Sequence, residues 1–169
     1  MIKLRLATID DLELLTYWET KQHVIDSDPN DDEWNWELEL KRNPEWREQL
    51  IAEVNGKPVG VVQIIDPDKE ETQYWGNVEQ NKRAIDIWIG EEENLNRGYG
   101  TLMMNLAIAR CFENPVVASI LVDPLQSNIK AHRFYKRLGF EFIEEREFDG
   151  NVCLVYELKR TVENSAEIQ

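Results

Sequence analysis

Asn94-Leu95-Asn96-Arg97-Gly98-Tyr99-Gly100-Thr101 joins an apolar run, Ile85 to Ile89, to a helically patterned one, Thr101 to Phe112. A strand that ends in such a two-glycine turn and continues as a helix aims several unpaired backbone N–H groups, and the positive end of the helix dipole, at one point. That arrangement holds a pyrophosphate. Two glycines also serve an ordinary tight turn before a helix, so the residues downstream of Phe112 have to separate the two readings.

About thirty residues on comes Asp123-Pro124-Leu125-Gln126-Ser127-Asn128-Ile129-Lys130-Ala131-His132-Arg133-Phe134-Tyr135-Lys136-Arg137-Leu138-Gly139-Phe140, which reads as strand end, turn, helix and a Gly-Phe stop. In this order and spacing the two stretches resemble the Gcn5-related N-acetyltransferase (GNAT) superfamily. Its members carry an R/Q-x-x-G-x-G/A loop for the coenzyme A pyrophosphate, then N-x-x-A-x-x-x-Y-x-x-x-G-F. The likeness runs from Leu4 to Lys159, and Asn128, Ala131, Tyr135, Gly139 and Phe140 are its most specific part. Leu95 stands where the loop usually has Arg or Gln, which leaves the phosphate contacts to the backbone. The resemblance implies a mixed α/β GNAT acyl-CoA N-acyltransferase fold, its sheet splayed between the Ile85 and Ala118 strands and flanked by helices, with acetyl-CoA in the gap. It places the coenzyme against Ile87, Trp88, Ile89, Leu95, Asn96, Arg97, Gly98, Tyr99, Gly100, Thr101, Asn128 and Ala131.

Length and composition suit one enzyme-sized domain, expected over 1–160 with a polar tail at 161–169. No run of eighteen apolar residues occurs and the amino terminus lacks a long apolar stretch, so neither a membrane span nor a signal peptide is expected, and a cytoplasmic location is. A net charge of −14 argues against nucleic acid or an anionic membrane as partner and favours a cationic substrate. Cys111 and Cys153 fall in apolar segments without Cys-x-x-Cys spacing or nearby histidines, which predicts buried thiols and no metal site. His23 and His132 read as surface or helix-face residues. Monomer and homodimer both remain open.

Lys3 to Ala7 alternates like a strand, and Thr8 with Asp11 caps a helix whose apolar face is Leu12, Leu14, Leu15 and Trp18. The segment from 21 to 48 is acidic, with Asp26, Asp28, Asp31, Asp32, Glu33, Glu37 and Glu39, yet holds Trp34, Trp36 and Trp46; Leu38 and Leu40 suggest a short helix there. Gln49–Val54 and Val59–Ile65 form a hairpin at Asn55-Gly56. Asp66 to Gln80 reads as a polar loop. Ala118–Val122, a helix from Asn128 to Leu138, and strands Phe140–Arg146 and Val152–Leu158 meeting at Asp149-Gly150-Asn151 complete the chain.

Transfer of an acetyl group to an amine needs a bound thioester, a neutral amine and a proton for the departing thiolate. Alkyl ammonium groups have pKa values near ~10.4, so a carboxylate that binds the cation and accepts its proton assists. Asp86 interrupts the apolar run Ile85 to Ile89, where an unpaired carboxylate is costly; the alternative is a structural pair with Arg83 or a backbone donor. Tyr135 lies nearly two helical turns past Asn128 and its phenol can donate to a sulfur. The resemblance makes it the general acid; packing is the alternative.

Within the superfamily the chain is similar to aminoglycoside 6′-N-acetyltransferases that carry Leu in the phosphate loop. The matching features are Tyr74-Trp75 in place of a tryptophan pair, Ile85-Asp86, Asp123-Pro124 with Asn128 and Ala131, and Asp149-Gly150. That likeness implies Asp86 as base or amine anchor, Asp123 and Asp149 as partners of substrate ammonium groups, and Gln63 and Trp75 as pocket lining. Trp34, Trp36 and Tyr74 overhang the cleft in such a fold, although each tryptophan read singly is a core residue. The expected reaction is direct transfer from acetyl-CoA to a primary amine of a cationic small molecule, most simply the 6′-amine of an aminoglycoside. Alternatives are a polyamine, a lysine-like siderophore precursor or a protein amino terminus; a non-catalytic acyl-CoA sensor would not need Asp86 and Tyr135.

Overall fold

The structure, a computed structural model, describes residues 1–28, 34–162 and 164. Asp31, Asp32 and Glu33 of the acidic segment and most of the expected tail lie outside the described residues. Seven strands form one sheet: β1 (Ile2–Leu6), β2 (Arg47–Val54), β3 (Lys57–Ile65), β4 (Lys82–Ile89), β5 (Ser119–Val122), β6 (Glu141–Phe148) and β7 (Asn151–Lys159), in the order β1-β2-β3-β4-β5-β7-β6. Only β4 and β5 run parallel; the other neighbours are antiparallel. Both hairpins are two-residue turns with left-handed backbone at each position, Asn55-Gly56 (φ 51° and 82°) and Asp149-Gly150 (φ 47° and 84°). This is the geometry Asn-Gly and Asp-Gly favour.

One face of the sheet carries α4 (Tyr99–Glu113) and α5 (Ile129–Arg137). Their apolar stripes, with Met103, Met104, Ala107, Phe112 and Tyr135, cover Leu50, Val62, Ile64, Ile85 and Ile120. The other face carries α1 (Leu12–Trp18) and α3 (Trp36–Lys41) over Ile51, Val61 and Trp88 at one end. At the other end Trp75, Phe148, Cys153 and Val155 pack over Ile65, Ala84 and Leu121. Between these two apolar clusters Gln49, Gln63 and Asp86 stand in register across β2, β3 and β4. The most polar strip of that face is therefore framed by packed tryptophans.

Pairing of β4 with β5 stops at Ala84 opposite Leu121, and beyond it the strands part. The hydrogen bond from Gly90 N–H to the Val59 carbonyl fixes the alternation along β4. It turns the N–H and C=O of Ile85, Ile87 and Ile89 away from β3, toward the gap.

Besides strand ends shifted by a few residues, as in β4 (Lys82–Ile89, expected from Ile85) and β6 (Glu141–Phe148, expected Phe140–Arg146), two helices differ from the sequence expectation. The helix expected from Thr101 starts at Tyr99, and the segment after α1 contains an additional helix, α2 (Gln22–Ser27), which has no buried residue and hence no apolar periodicity to read.

Candidate functional site

The loop 94–101 does open onto a helix. Gly98 is the residue before α4, with φ 80°, and no side chain caps the helix. The first-turn N–H groups of α4 therefore point out of the protein without an internal acceptor. A Cβ on Gly98 would meet nothing within 4 Å, so its side of the turn is open. A Cβ on Gly100 would meet the Phe134 ring at 3.7 Å, ordinary van der Waals contact. Together with the edge of β4 left unpaired by other strands at Ile87, next to the Ile89 carbonyl that meets His23 Nε2 at 2.8 Å, this fits a thiol arm ending in a pyrophosphate. Leu95 is half-buried, Asn96 (φ 59°) and Arg97 are exposed, and Trp88 packs toward Trp36 with ring centroids 6.3 Å apart. Asn128 uses its side-chain oxygen to cap α5, accepting from Ala131 N–H at 3.2 Å.

Asp86 and Asp123 occupy equivalent places: each lies two residues beyond the last β4–β5 pair, on the same face. Asp86 is ringed by protein but its carboxylate reaches the water of the cleft. Burial, with repulsion from Asp28, pushes its pKa up to about 6. Asp123 is raised well above the usual carboxylate range by burial, then by the charges of Asp86 and Asp28, against a hydrogen bond from Tyr74. No lysine or arginine among the described residues pairs with either. The alternative partner Arg83 is engaged elsewhere, with Asp66 at 3.3 Å and the Lys82 carbonyl. Among the described residues no group of three His, Cys, Asp or Glu side chains is spaced to hold a metal.

Tyr135 is buried on α5, its ring against Phe134 and Phe140. Its phenol makes no hydrogen bond to a described residue; burial, then the charges of Asp86 and Asp123, raise its pKa and keep it protonated. Cys111 and Cys153 are free and buried, and burial pushes their thiols up to about 12 and about 11, so neither is a thiolate at neutral pH.

The expected aromatic lining needs correction. Trp75 is 2% exposed, wedged edge-on against Phe148 at 5.2 Å, and Trp36 is 4% exposed under α1; both are core rings and not pocket walls. Trp34 is half-buried, edge-on to Trp36 and 5.3 Å from the Arg47 guanidinium. Arg47 is buried, paired with Glu39, and lies against the rings of Trp34 and Trp46, which gives two of the tryptophans of the acidic stretch a structural role. The aromatic that faces the cleft is Tyr74, 41% exposed, stacked on Phe148 at 4.6 Å and donating to Asp123 Oδ2 at 2.9 Å. Buried Glu70 presents it by accepting from the N–H groups of Thr72 and Tyr74 and from the Thr72 hydroxyl.

Gln63 is half-buried beside Asp86 in the polar strip. Asp149 is exposed on the β6–β7 turn, while the carboxylates that act on Asp86 and Asp123 include Asp28, which sequence reading did not select. His132 is not a surface residue: it is 7% exposed and its Nε2 meets the Gln126 carbonyl at 2.9 Å, bracing the loop after Asp123.

The acetyltransferase (GNAT) domain family model matches residues 8–148. Aminoglycoside N(6′)-acetyltransferase type 1 of Klebsiella pneumoniae is 27% identical over 154 residues, 83% of this chain and 74% of that protein. Lysine N-acyltransferase MbtK of Mycobacterium tuberculosis is 22% identical over 160 residues, 92% of this chain and 76% of that protein. The crystal structure of aminoglycoside acetyltransferase AAC(6′)-Ib with coenzyme A and kanamycin superposes with a TM-score of 0.82 at 24% identity, over 99% of this chain and 98% of that one. With the splayed sheet and the uncapped helix α4 these matches settle the family: the chain belongs to the GNAT N-acetyltransferases, whose acetyl donor is acetyl-coenzyme A.

Proposed function

We propose that this enzyme acetylates a primary amine of a polycationic small molecule, with the 6′-amine of an aminoglycoside as the leading acceptor. The observation that carries the reading is the pair Asp86 and Asp123, each two residues beyond the last β4–β5 pair, without a described lysine or arginine partner and each penalised for being charged. Like charges held together in a cleft are stabilised by a cation that enters it. The similarity to aminoglycoside N(6′)-acetyltransferase type 1 supports the same class of acceptor. We take residues 1–160 as the catalytic domain.

Acetyl-CoA bound at α4 and the β4 edge supplies the acetyl group as an activated thioester. The N–H groups from Gly98 to Thr101 would hold the pyrophosphate, and the gap-facing backbone of Ile87 with the N–H of Ile89 would hold the thiol arm. Asp86 anchors the acceptor ammonium and accepts its proton, directly or through one water, as the amine attacks. Its raised pKa of about 6 keeps it mainly ionised at pH 7 and above. Tyr135, protonated and without another acceptor, donates to the departing sulfur. Asp123 and Asp149 hold further ammonium groups, and Gln63 and Tyr74 orient the ring that carries them. Cys111 and Cys153, buried and protonated, leave direct transfer as the route.

The test is thiol release from acetyl-CoA against kanamycin, tobramycin, spermidine and lysine. Turnover with the aminoglycosides at a kcat/KM at least tenfold above that for lysine is expected. Turnover confined to lysine or another monoamine would reject the polycation reading and leave an amine acetyltransferase of the MbtK-like kind.

A further inference from the structure

The loop after β3 holds Tyr74 from several directions. Glu70 is 6% exposed and pairs with no lysine or arginine among the described residues. Its carboxylate is satisfied by its own loop: Oε1 accepts from Thr72 N–H at 2.8 Å, and Oε2 accepts from the Thr72 hydroxyl at 2.8 Å and from Tyr74 N–H at 2.9 Å. Gln73, immediately before Tyr74, has a left-handed backbone (φ 57°) that a side chain disfavours, and its amide donates to the Glu70 carbonyl at 2.9 Å. Beyond Tyr74 the Trp75 carbonyl accepts from Arg146, and the Trp75 ring is enclosed in the core. The Tyr74 ring lies flat on Phe148, 10° from parallel with centroids 4.6 Å apart. Backbone and ring are thus both fixed, and what they deliver is one hydroxyl, 2.9 Å from Asp123 Oδ2.

Resting on the polycationic-acceptor reading above, we propose that the Tyr74 hydroxyl is a specificity-determining group of the acceptor site, and that Glu70 is the positioning residue that seats it. Among the described residues no other side chain donates to Asp123, so this one bond sets the way the carboxylate faces. Oδ2 is occupied and Oδ1 is left for the acceptor. The phenol oxygen, its proton directed at Asp123, offers a second acceptor beside it. An ammonium group is then received at one fixed place relative to an amine at Asp86. That geometry rewards a ligand whose cationic groups are spaced by rings, because neither side loses much freedom on binding. A flexible chain gains less from it, since it can follow the carboxylate wherever it turns and must be ordered in any case. The acceptors favoured are aminosugars over linear polyamines of similar charge. A buried glutamate without a countercharge and a left-handed Gln73 are costs to a loop that only has to join β3 to β4, and presentation of Tyr74 accounts for both.

The experiment measures kcat and KM for kanamycin, spermidine and lysine in the wild type, Tyr74→Phe, Glu70→Gln, Asp123→Asn and the double variants of Tyr74→Phe with each of the other two. Tyr74→Phe keeps the ring on Phe148 and removes the hydroxyl. It is expected to lower the ratio of kanamycin to spermidine kcat/KM by about three- to tenfold, the effect of leaving one side chain to be ordered on binding, and to do so through the KM for kanamycin. In the Asp123→Asn background it should change the ratio no further, because the hydroxyl acts through that carboxylate. Glu70→Gln has the size of the original, but an amide nitrogen at either oxygen position faces a backbone N–H; it should shift the ratio in the same direction and add nothing to Tyr74→Phe. An unchanged ratio in Tyr74→Phe overturns the role of the hydroxyl. A Glu70→Gln variant that melts lower but keeps the wild-type ratio overturns that of Glu70, as does a further loss in the double variant. Wild-type turnover of spermidine without kanamycin overturns the preference for ring-spaced acceptors. A wild-type enzyme that acetylates lysine and neither polycation rejects the acceptor reading itself, an outcome distinct from turnover of both polycations in a ratio that Tyr74→Phe leaves untouched.

Discussion

Replacing Asp86 by Asn should stabilise the free enzyme while nearly abolishing its activity. The rise of the carboxyl from 3.8 to about 6 measures how strongly the folded protein disfavours the ionised form. Taken at face value it corresponds to about 3 kcal/mol. The carboxylate reaches the water of the cleft, however, and screening brings the expected gain to about 1 kcal/mol. For a chain of this size that is about 2–4 °C in Tm. The sign is set by linkage: the folded-state pKa lies above the unfolded one, so wild-type stability is full below pH 3.8 and falls as pH rises through about 6. The advantage of Asp86→Asn should therefore be present at pH 8 and vanish near pH 4. In the same variant kcat/KM for the acceptor should drop by about 10²- to 10⁴-fold, and the acid limb of the wild-type profile, placed near pH 6, should disappear. Thermal unfolding at the two pH values and thiol-release kinetics from pH 5 to 9 provide the assay. An Asn variant that melts lower at pH 8, or one that keeps wild-type kcat/KM, would refute the placement of an unpaired, functional carboxylate at this point.

Two further substitutions test the donor side. Tyr135→Phe should lower kcat by roughly 10²-fold with the Kd for acetyl-CoA unchanged in calorimetry, since it removes only the phenolic proton; an unchanged kcat would leave Tyr135 as packing against Phe134 and Phe140. Gly98→Ala should cost about 1–2 kcal/mol through its φ of 80° alone, because its Cβ meets no atom, whereas Gly98→Asp should in addition weaken acetyl-CoA binding at least tenfold and Leu95→Ala barely affect it. Normal binding by Gly98→Asp would move the pyrophosphate away from α4.

Much of the fold was legible because its signals are local. Asn55-Gly56 and Asp149-Gly150 specify two-residue turns by backbone conformation, and Gly98 marks the start of α4 in the same way. The proposed donor half of the site rests on such signals, since it consists of backbone and needs only a strand, a turn and a helix in sequence. The acceptor half could not. Trp36 and Trp75 suggest a cation-binding wall from composition, but burial is a property of the assembled sheet, which encloses both rings and leaves Tyr74 facing outward. Helix α2 carries no periodic apolar face, so nothing in residues 22–27 distinguishes it from a loop.

That parting explains why the two halves occur together. A parallel pair kept to its full length would bury the edge of β4 and bring Asp86 and Asp123 side by side as neighbours in a ladder, with neither coenzyme nor amine between them. By ending the ladder at Ala84 and Leu121, the chain frees N–H and C=O groups on β4 and parts two carboxylates, which the proposed function assigns to the donor and to an acceptor ammonium. The cost in stability is visible as raised carboxyl groups and an uncapped helix, and it is offset by the two tryptophan-rich clusters on either side. On the proposed function the tryptophans serve the acceptor indirectly: they frame the polar strip, and a cationic ligand would supply the charges that the strip lacks.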